Sequence, residues 1–382
     1  KLPELPPLSG KRVAVIGGGP AGISVAWQLR QKGHEAVIYD MRQILGGKIS
    51  ALIPKTRIPE EVISKELERV QEAIPHVYLQ QRLSKKELEQ LKADFDFVVI
   101  SVGAQKPRVL PIPGKERLIP ALEFLKASKQ DQAKVGRRVV SIGAGNVGCD
   151  AATEAHRLGA EEILLIDIQE PLSFGKERKE AEAAGAKFRW PCFTKAVTEE
   201  GVELMSGEVI AADTVIISVG DMPDLEFLPE TIATERGFIK VNEYFQTTDP
   251  QVFAIGDAAK LGLLTDAIGA GRKAAGAIVD ILAGKRPKGD ARQMVVYSRI
   301  KLEYFDPRLM QFEGVDHCAS QCSSCGSCRD CGVCATICPQ NAISRKEVLD
   351  ATGFEMAVDP DRWIGCGFCA GACRCGICTL VE

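Results

Sequence analysis

The first 316 residues are almost without cysteine: only Cys149 and Cys192 occur there. Disulfides therefore do not staple the body of this chain, and its core must be hydrophobic. No apolar run approaches the roughly 20 residues that a membrane helix needs, so a transmembrane span is not expected. No signal-peptide pattern stands at the start, and the expected location is cytoplasmic. The formal net charge is only −3, which gives no electrostatic ground for binding nucleic acid or a membrane surface. No constellation of acid, base and nucleophile suggests direct activation of a substrate. The chain begins at Lys1 in a proline-rich stretch rather than at a methionine, which leaves room for a segment ahead of it.

What the chain does have is glycine at telling positions. Its 382 residues leave room for two or three domains. Residues 13–22, VAVIGGGPAG, run from an apolar strand into Gly17-x-Gly19-x-x-Gly22. This is the spacing of a dinucleotide-binding turn. Gly17 allows the turn, Gly19 lets backbone approach a pyrophosphate, and Gly22 lets the next helix (23–32) pack on the strand. Pro20 and Ala21 complete that helix start, whose free N–H groups and dipole suit phosphate. A second apolar run, 35–39, ends in Asp40, where a carboxylate would meet ribose hydroxyls.

The pattern then returns. A strand at 138–142 leads into Gly143-x-Gly145-Asn146-x-Gly148, a helix at 149–158, and a strand at 162–166 ending in Asp167. Two such units 126 residues apart imply two nucleotides, or one held across two domains. Asp167 can accept from both ribose hydroxyls but would repel a 2′-phosphate. At about 4 Å and an effective dielectric of about 20 that repulsion is about 4 kcal/mol before screening. NAD(H) is therefore expected over NADP(H), with Lys176, Arg178 and Lys179 downstream as the residues that could reverse the preference. Between and after these units lie a helix at 60–72, buried strands at 95–102 and 214–219, a helix and linker at 117–136, and short strands at 187–208. A Gly- and Ala-rich helix at 264–282 suits either close helix packing or a ligand.

Several further stretches carry a resemblance: LGGKI at 45–49, ALIPKTRIP at 51–59, SVGA at 101–104, GAGNVGCDAA at 143–152, SVGDMPD at 218–224, and VFAIGDAA with TDAIGAGRKAA within 252–275. With GGGPAG, they make residues 11–283 resemble the glutamate synthase small-subunit family of flavoproteins, which includes the large subunit of NADH-dependent ferredoxin:NADP oxidoreductase. The resemblance implies an α/β protein with two Rossmann-like domains, FAD on the first site and a nicotinamide nucleotide on the second. It implies that Gly17, Gly19 and Gly22 hold the FAD pyrophosphate and that Asp40 is the ribose acid. Gly47, Lys48, Ile53 and Gly103 would lie toward the flavin. Gly256 and Asp257 would lie near ribityl and phosphate, and Thr265 and Ala267 on the ring side. Gly143, Gly145, Asn146, Gly148 and Gly220 would serve the nicotinamide nucleotide. The expected domains are an FAD domain of 1–125 plus 236–290, an inserted NAD domain of 126–235, a linker of 291–315 and an iron–sulfur domain of 316–382. Two departures stand out: the arginine pair usual after the second-domain strand in NADP users is missing, and so is the family's N-terminal cysteine-rich domain. No CxxxxC lies in the FAD domain, so a flavin-linked active disulfide is not expected.

Twelve cysteines crowd into 318–378. Cys328-x2-Cys331-x2-Cys334-x3-Cys338-Pro339 is the bacterial ferredoxin pattern. A second motif, WIGCGFCAGACR, supplies Cys366, Cys369 and Cys373, with Trp363 at the first ligand position. By the two-cluster rule one [4Fe-4S] cluster takes Cys328, Cys331, Cys334 and Cys373. The other takes Cys338, Cys366 and Cys369 and lacks a ligand. Of Cys318, Cys322, Cys325, Cys375 and Cys378, one can fill that vacancy, and four then remain, the number for a third metal site. A [3Fe-4S] cluster or a zinc site are the alternatives. The expected protein is thus an NAD(P)H:acceptor electron-transfer subunit serving other redox subunits of a complex. A flavin-based bifurcating module and a non-catalytic electron-bridging scaffold are the rival readings.

Overall fold

The computed structural model describes residues 4–108, 110–288, 328, 330–347 and 354–373. They fall into two units, 1–289 and 290–382, each treated by itself. The first opens with β1 (Arg12–Ile16), α1 (Pro20–Gln31) and β2 (Glu35–Tyr39). It continues through α2 (Lys48–Ala51), α3 (Glu60–Ala73), β3 (Val77–Tyr78), α4 (Lys85–Asp94) and β4 (Phe97–Ile100). After β5 (Lys106–Pro107) come β6 (Leu118–Pro120), α5 (Ala121–Lys129), β7 (Arg138–Ile142), α6 (Asn146–Arg157), β8 (Glu162–Ile166), α7 (Gly175–Ala183) and β9 (Lys187–Arg189). Three antiparallel strands, β10 (Thr194–Val197), β11 (Gly201–Leu204) and β12 (Val209–Ala211), precede β13 (Thr214–Ile217). Then follow β14 (Asp221–Met222), the small pair β15 (Thr234–Glu235) and β16 (Phe238–Ile239), β17 (Val252–Ala254) and α8 (Leu264–Leu282).

Two five-stranded parallel sheets result. The first has the order β17-β4-β1-β2-β3 and the second β6-β13-β7-β8-β9. Strands such as Val13–Ile16 and Phe97–Ile100 are apolar throughout because both faces of each sheet are covered. Helices α1 and α8 pack on one face of the first sheet and α4 on the other, while α5 and α6 pack on one face of the second and the strands β10 and β11 on the other. In both, the strand order reverses beside the strand that carries the glycine turn, which opens a crevice at the carboxyl ends. The order in the first sheet is that of a doubly wound dinucleotide-binding fold. In the second, the outer strand β6 comes from upstream of β7. The chain has therefore entered the second sheet by residue 118, ahead of the expected boundary at 126. The stretch 117–136 holds the expected helix and the loop after it, preceded by a strand, β6, that the sequence did not indicate.

Helix α8 packs along α1 through its small residues. A Cβ on Gly271 would stand 2.6 Å from the Ala21 carbonyl, and Ser24 Oγ donates to the Ile268 carbonyl at 2.7 Å. Much of its small-residue face therefore serves packing, while Leu264 and Ala267 at its N-terminal end line a cavity and Gly276 on its outer side faces open space. Helix α4 carries a capping box: Glu87 N–H donates to Ser84 Oγ, and Ser84 N–H to Glu87 Oε2. No helix among the described residues is long and apolar enough to cross a membrane.

In the second unit α9 (Val333–Ile337) and α10 (Phe368–Ala372) pack on each other, beside an antiparallel hairpin of β18 (Ile343–Glu347) and β19 (Phe354–Val358).

Candidate functional site

The first glycine turn is dictated by sterics. Gly17 has φ +106°, and a Cβ there would lie 2.4 Å from the Ser101 carbonyl oxygen at the end of β4. A Cβ on Gly22 would lie 1.9 Å from the Gly17 carbonyl oxygen. Ser101 locks the crossing, its hydroxyl donating to the carbonyls of Ile16 and Gly17 at 3.0 and 2.8 Å. Helix α1 begins after Gly19 with no side-chain cap and no acid in its first turn, so its N-terminal donors face the crevice. Gly46 N–H donates to the Gly18 carbonyl at 2.8 Å, which seats the GGK loop against the turn.

Asp40 is buried. One of its oxygens accepts from Gly18 N–H at 2.6 Å, the other from Arg42 N–H at 2.7 Å. The acid thus braces the turn itself, and the second lone pair on each oxygen is what a ribose would use.

These elements surround a cavity of about 230 Å³. The turn contributes Gly17, Gly19, Pro20 and Ala21, with Asp40 beside them; the GGK loop contributes Gly47, Lys48 and Ile53; Gly103, Gly256, Asp257 and Ala267 close it. Of the residues expected at this site, Gly22 lies beneath the turn and Thr265 does not line the cavity. A larger cavity of about 680 Å³ shares Gly17, Asp40, Val102 and Gln105 with it. Its lining includes a charge cluster in which Asp224 lies 2.9 Å from both Arg82 and Lys106.

Sequence reasoning missed four residues here. Arg42 pairs with Gln105, both on the cavity wall. Val147, from the second glycine turn, lines this same first cavity. Asp221 stands 3.9 Å from Lys48 Nζ, which also bonds Asp257 at 3.0 Å. Burial pushes the Asp221 carboxyl above its ordinary range; the Lys48 ammonium opposes this and Asp257 adds to it. The contrast between SVGA and SVGD was the available signal for Asp221.

The second turn repeats the first. Gly143 has φ +102°, and a Cβ on it would lie 2.3 Å from the Ser218 carbonyl oxygen. A Cβ on Gly148 would lie 2.4 Å from the Gly143 carbonyl oxygen, whereas Cβ atoms on Gly145 and Gly220 would point into open space. Asp167 accepts from Ala144 N–H at 2.9 Å and Ile168 N–H at 2.8 Å, the same brace as Asp40. Asn146 has a structural bond as well: its Oδ1 accepts from Phe174 N–H at 3.0 Å and pins the loop before α7. Lys176 pairs with Glu180 and Arg178 with Glu182, so two of the three downstream cations are engaged within α7. Cys149 and Cys192 are buried, and burial pushes both thiols above their ordinary pKa.

Arg57, from the loop before α3, reaches into the second half of this unit. It pairs with Asp150 of α6 and lies 3.3 Å from Glu177 and 3.5 Å from Glu180 of α7.

In the second unit Cys334 and Cys338 are buried in a small core with Ala342 and Ile343, against which Cys369 packs. Ala342 N–H donates to Cys338 Sγ at 3.3 Å. Cys328, Cys331, Cys366, Cys369 and Cys373 are half-buried or exposed. Among the described residues no three metal-ligating side chains converge on one ion, so the spacing of the cysteines carries the cluster reading. Cys318, Cys322, Cys325, Cys375 and Cys378 lie outside the described residues.

Comparison with known proteins agrees with this anatomy. Residues 11–274 match the family described as pyridine nucleotide-disulphide oxidoreductase, and residues 327–377 match the 4Fe-4S dicluster domain. The NADP(+)-dependent formate dehydrogenase subunit beta of Moorella thermoacetica is 31% identical over 306 residues, covering 70% of this chain and 43% of that protein. The NAD-dependent dihydropyrimidine dehydrogenase subunit PreT of Escherichia coli strain K12 is 30% identical over 285 residues, covering 72% and 69%. Among solved structures, Mycobacterium tuberculosis FprA in complex with NADPH superposes with a TM-score of 0.58 at 16% identity, over 72% of this chain and 85% of that one. This last likeness is one of fold. The chain thus spans less than half the length of one of these relatives and about two thirds of the other. With both glycine turns, their acids and the crevices between them inside the matched span, the chain belongs to the pyridine nucleotide-disulphide oxidoreductase family.

Proposed function

We propose that this chain is the nicotinamide- and flavin-handling subunit of a multi-subunit redox enzyme, passing electrons between NADH, FAD and iron–sulfur clusters to or from a partner subunit. One observation carries the reading: Val147, from the second glycine turn, lines the cavity built by the first. A nicotinamide nucleotide held by the second turn would then have the first cavity within reach.

When bound, FAD supplies the conversion between the paired electrons of nicotinamide and the single electrons of a cluster. The chain's own residues supply position. The N–H groups around Gly19 and Ala21 would hold the pyrophosphate, and Asp40 the ribose. The cavity bounded by Gly47, Lys48, Ile53, Gly256 and Asp257 would take the ring end. Lys48, held between Asp257 and Asp221, would place a positive charge there. Gly143, Gly145 and Gly148 would carry the nicotinamide nucleotide. Asp167 favours NADH over NADPH, and the engagement of Lys176 and Arg178 with their own helix supports this. Cys328, Cys331, Cys334 and Cys373 would hold one [4Fe-4S] cluster, and Cys338, Cys366 and Cys369 most of a second. The subunit designations of the two relatives support a redox partner.

Anaerobic reduction by NADH and by NADPH, each followed at flavin and cluster wavelengths, tests the reading. Rapid flavin bleaching by NADH followed by cluster bleaching is expected. Preference for NADPH would overturn the role given to Asp167, and no reduction by either nucleotide would overturn the electron-transfer reading.

A further inference from the structure

A third cavity of the first unit, about 380 Å³, belongs to neither nucleotide turn. One wall is a stripe of α3: Glu60, Ile63, Ser64, Leu67, Glu68 and Gln71, at the spacing that puts residues on one helix face. Facing it are Ile44, Leu45 and Ser50. Lys129, the last residue of α5, also lines the cavity and is nine-tenths buried.

Lys129 is the unusual member. Its Nζ donates to the Ile49 carbonyl at 3.2 Å, and its other two donors find no acceptor among the described residues. A buried ammonium with donors to spare is costly unless something completes it. Burial pushes this amine below its ordinary pKa, with Glu60 opposing and Lys55 adding to the fall. Glu60 and Glu68 are exposed. The lining therefore has one buried positive charge and two exposed negative ones, of which Glu60 also lies 3.8 Å from Lys55 outside the cavity. A simple anion would pass two carboxylates on entry, and a simple cation would meet Lys129. A zwitterion satisfies both ends, and Ile44, Leu45, Ile63 and Leu67 offer an apolar body its contact.

We propose that this cavity binds a free amino acid with an apolar side chain, its carboxylate on Lys129 and its ammonium toward Glu60 and Glu68. The site bears on the flavin-side cavity through one thin wall. Leu45 and Ser50 line the third cavity, whereas Gly47, Lys48 and Ile49 line the flavin-side one. The Lys129 bond to the Ile49 carbonyl lies in that wall. A carboxylate on the two spare donors would draw the ammonium toward the third cavity, lengthen its bond to the Ile49 carbonyl and shift the loop that carries Lys48.

Isothermal titration of the full chain, as isolated, with L-leucine tests the site, with leucinamide and 4-methylpentanoate as half-ligands. Leucine is expected to bind, and each half-ligand to bind at least about tenfold more weakly, since each leaves a charge unmatched. Lys129→Met replaces the ammonium with an apolar chain of similar length and is expected to abolish binding while keeping the thermal melt. Glu60→Gln, on the exposed rim, is a second variant expected to weaken binding severalfold. Absence of leucine binding at about 10 mM, or undiminished binding in both variants, would overturn the site. Equal binding of 4-methylpentanoate would overturn the zwitterion assignment. In the flavin-loaded protein leucine is expected to shift the flavin absorbance, and an unmoved spectrum with binding intact would overturn the coupling through the wall.

Discussion

Arg57 sets one positive charge against three carboxylates, and it does so across a distance in sequence that no local pattern reveals. Asp150 lies 93 residues away and is partly buried, and burial raises its carboxyl above the ordinary range while Arg57 pulls it down. Removing the guanidinium would leave buried negative charge uncompensated. Arg57→Met is therefore expected to cost about 2 kcal/mol, discounted for the half-open geometry, as a lower urea midpoint. Adding Asp150→Asn should restore part of that loss. Asp213 behaves oppositely. Its carboxylate grips the Arg138 guanidinium at 2.6 Å and the Arg138 N–H at 2.9 Å, and its pKa falls to about 2. A depressed acid stabilises the fold above its unfolded pKa and loses that contribution as pH falls through the folded one. The melting-temperature gap between the wild type and Asp213→Asn should be full at pH 7. It should close as pH drops from about 4 toward about 2.

At the scale of elements, the two strand–turn–helix–strand–acid units were legible because their spacing is local, although the strand that crosses each first glycine is distant. Gly22 is set against the Gly17 carbonyl five residues back, and Asp40 closes on Gly18 only 22 residues back. Helix α7 escaped because it buries only Ala181 and shows no apolar stripe. Helix α4 escaped although Ser84 and Glu87 announce its start. The roles of Asp221 and Lys129 were not legible, since their neighbours Lys48 and Ile49 lie 80 or more residues away and only the folded chain joins them; the acid in SVGD marked Asp221 but not its partner. For the Gly- and Ala-rich helix α8 the sequence left packing and ligand contact open, and the structure divides them along its length. Gly271→Val is expected to force α1 and α8 apart and to destabilise by about 1–3 kcal/mol, read as a lower melting temperature. Because α1 carries the first turn, FAD retention on a desalting column should fall with it.

For the whole molecule, the two turns make separable demands. Gly148→Ala places a Cβ against the Gly143 carbonyl of the second turn and touches nothing of the first. The variant is expected to keep its flavin and its dithionite-reducible clusters but to lose at least about tenfold in reduction by NADH, measured anaerobically by stopped flow. The connection between the sheets has a consequence of its own. The chain leaves the first sheet through β5 and returns through β14, and these two strands pair antiparallel. Arg108 N–H bonds the Gly220 carbonyl at 3.1 Å, and Gln105 N–H bonds the Met222 carbonyl at 3.0 Å. Everything between Arg108 and Gly220 is therefore a detour whose two ends meet. Such a detour behaves as a cassette: its departure and return points are neighbours, so it could be exchanged at one ribbon for another of different nucleotide taste, provided that the replacement keeps carboxylates for Arg57 and an apolar seat for Leu52.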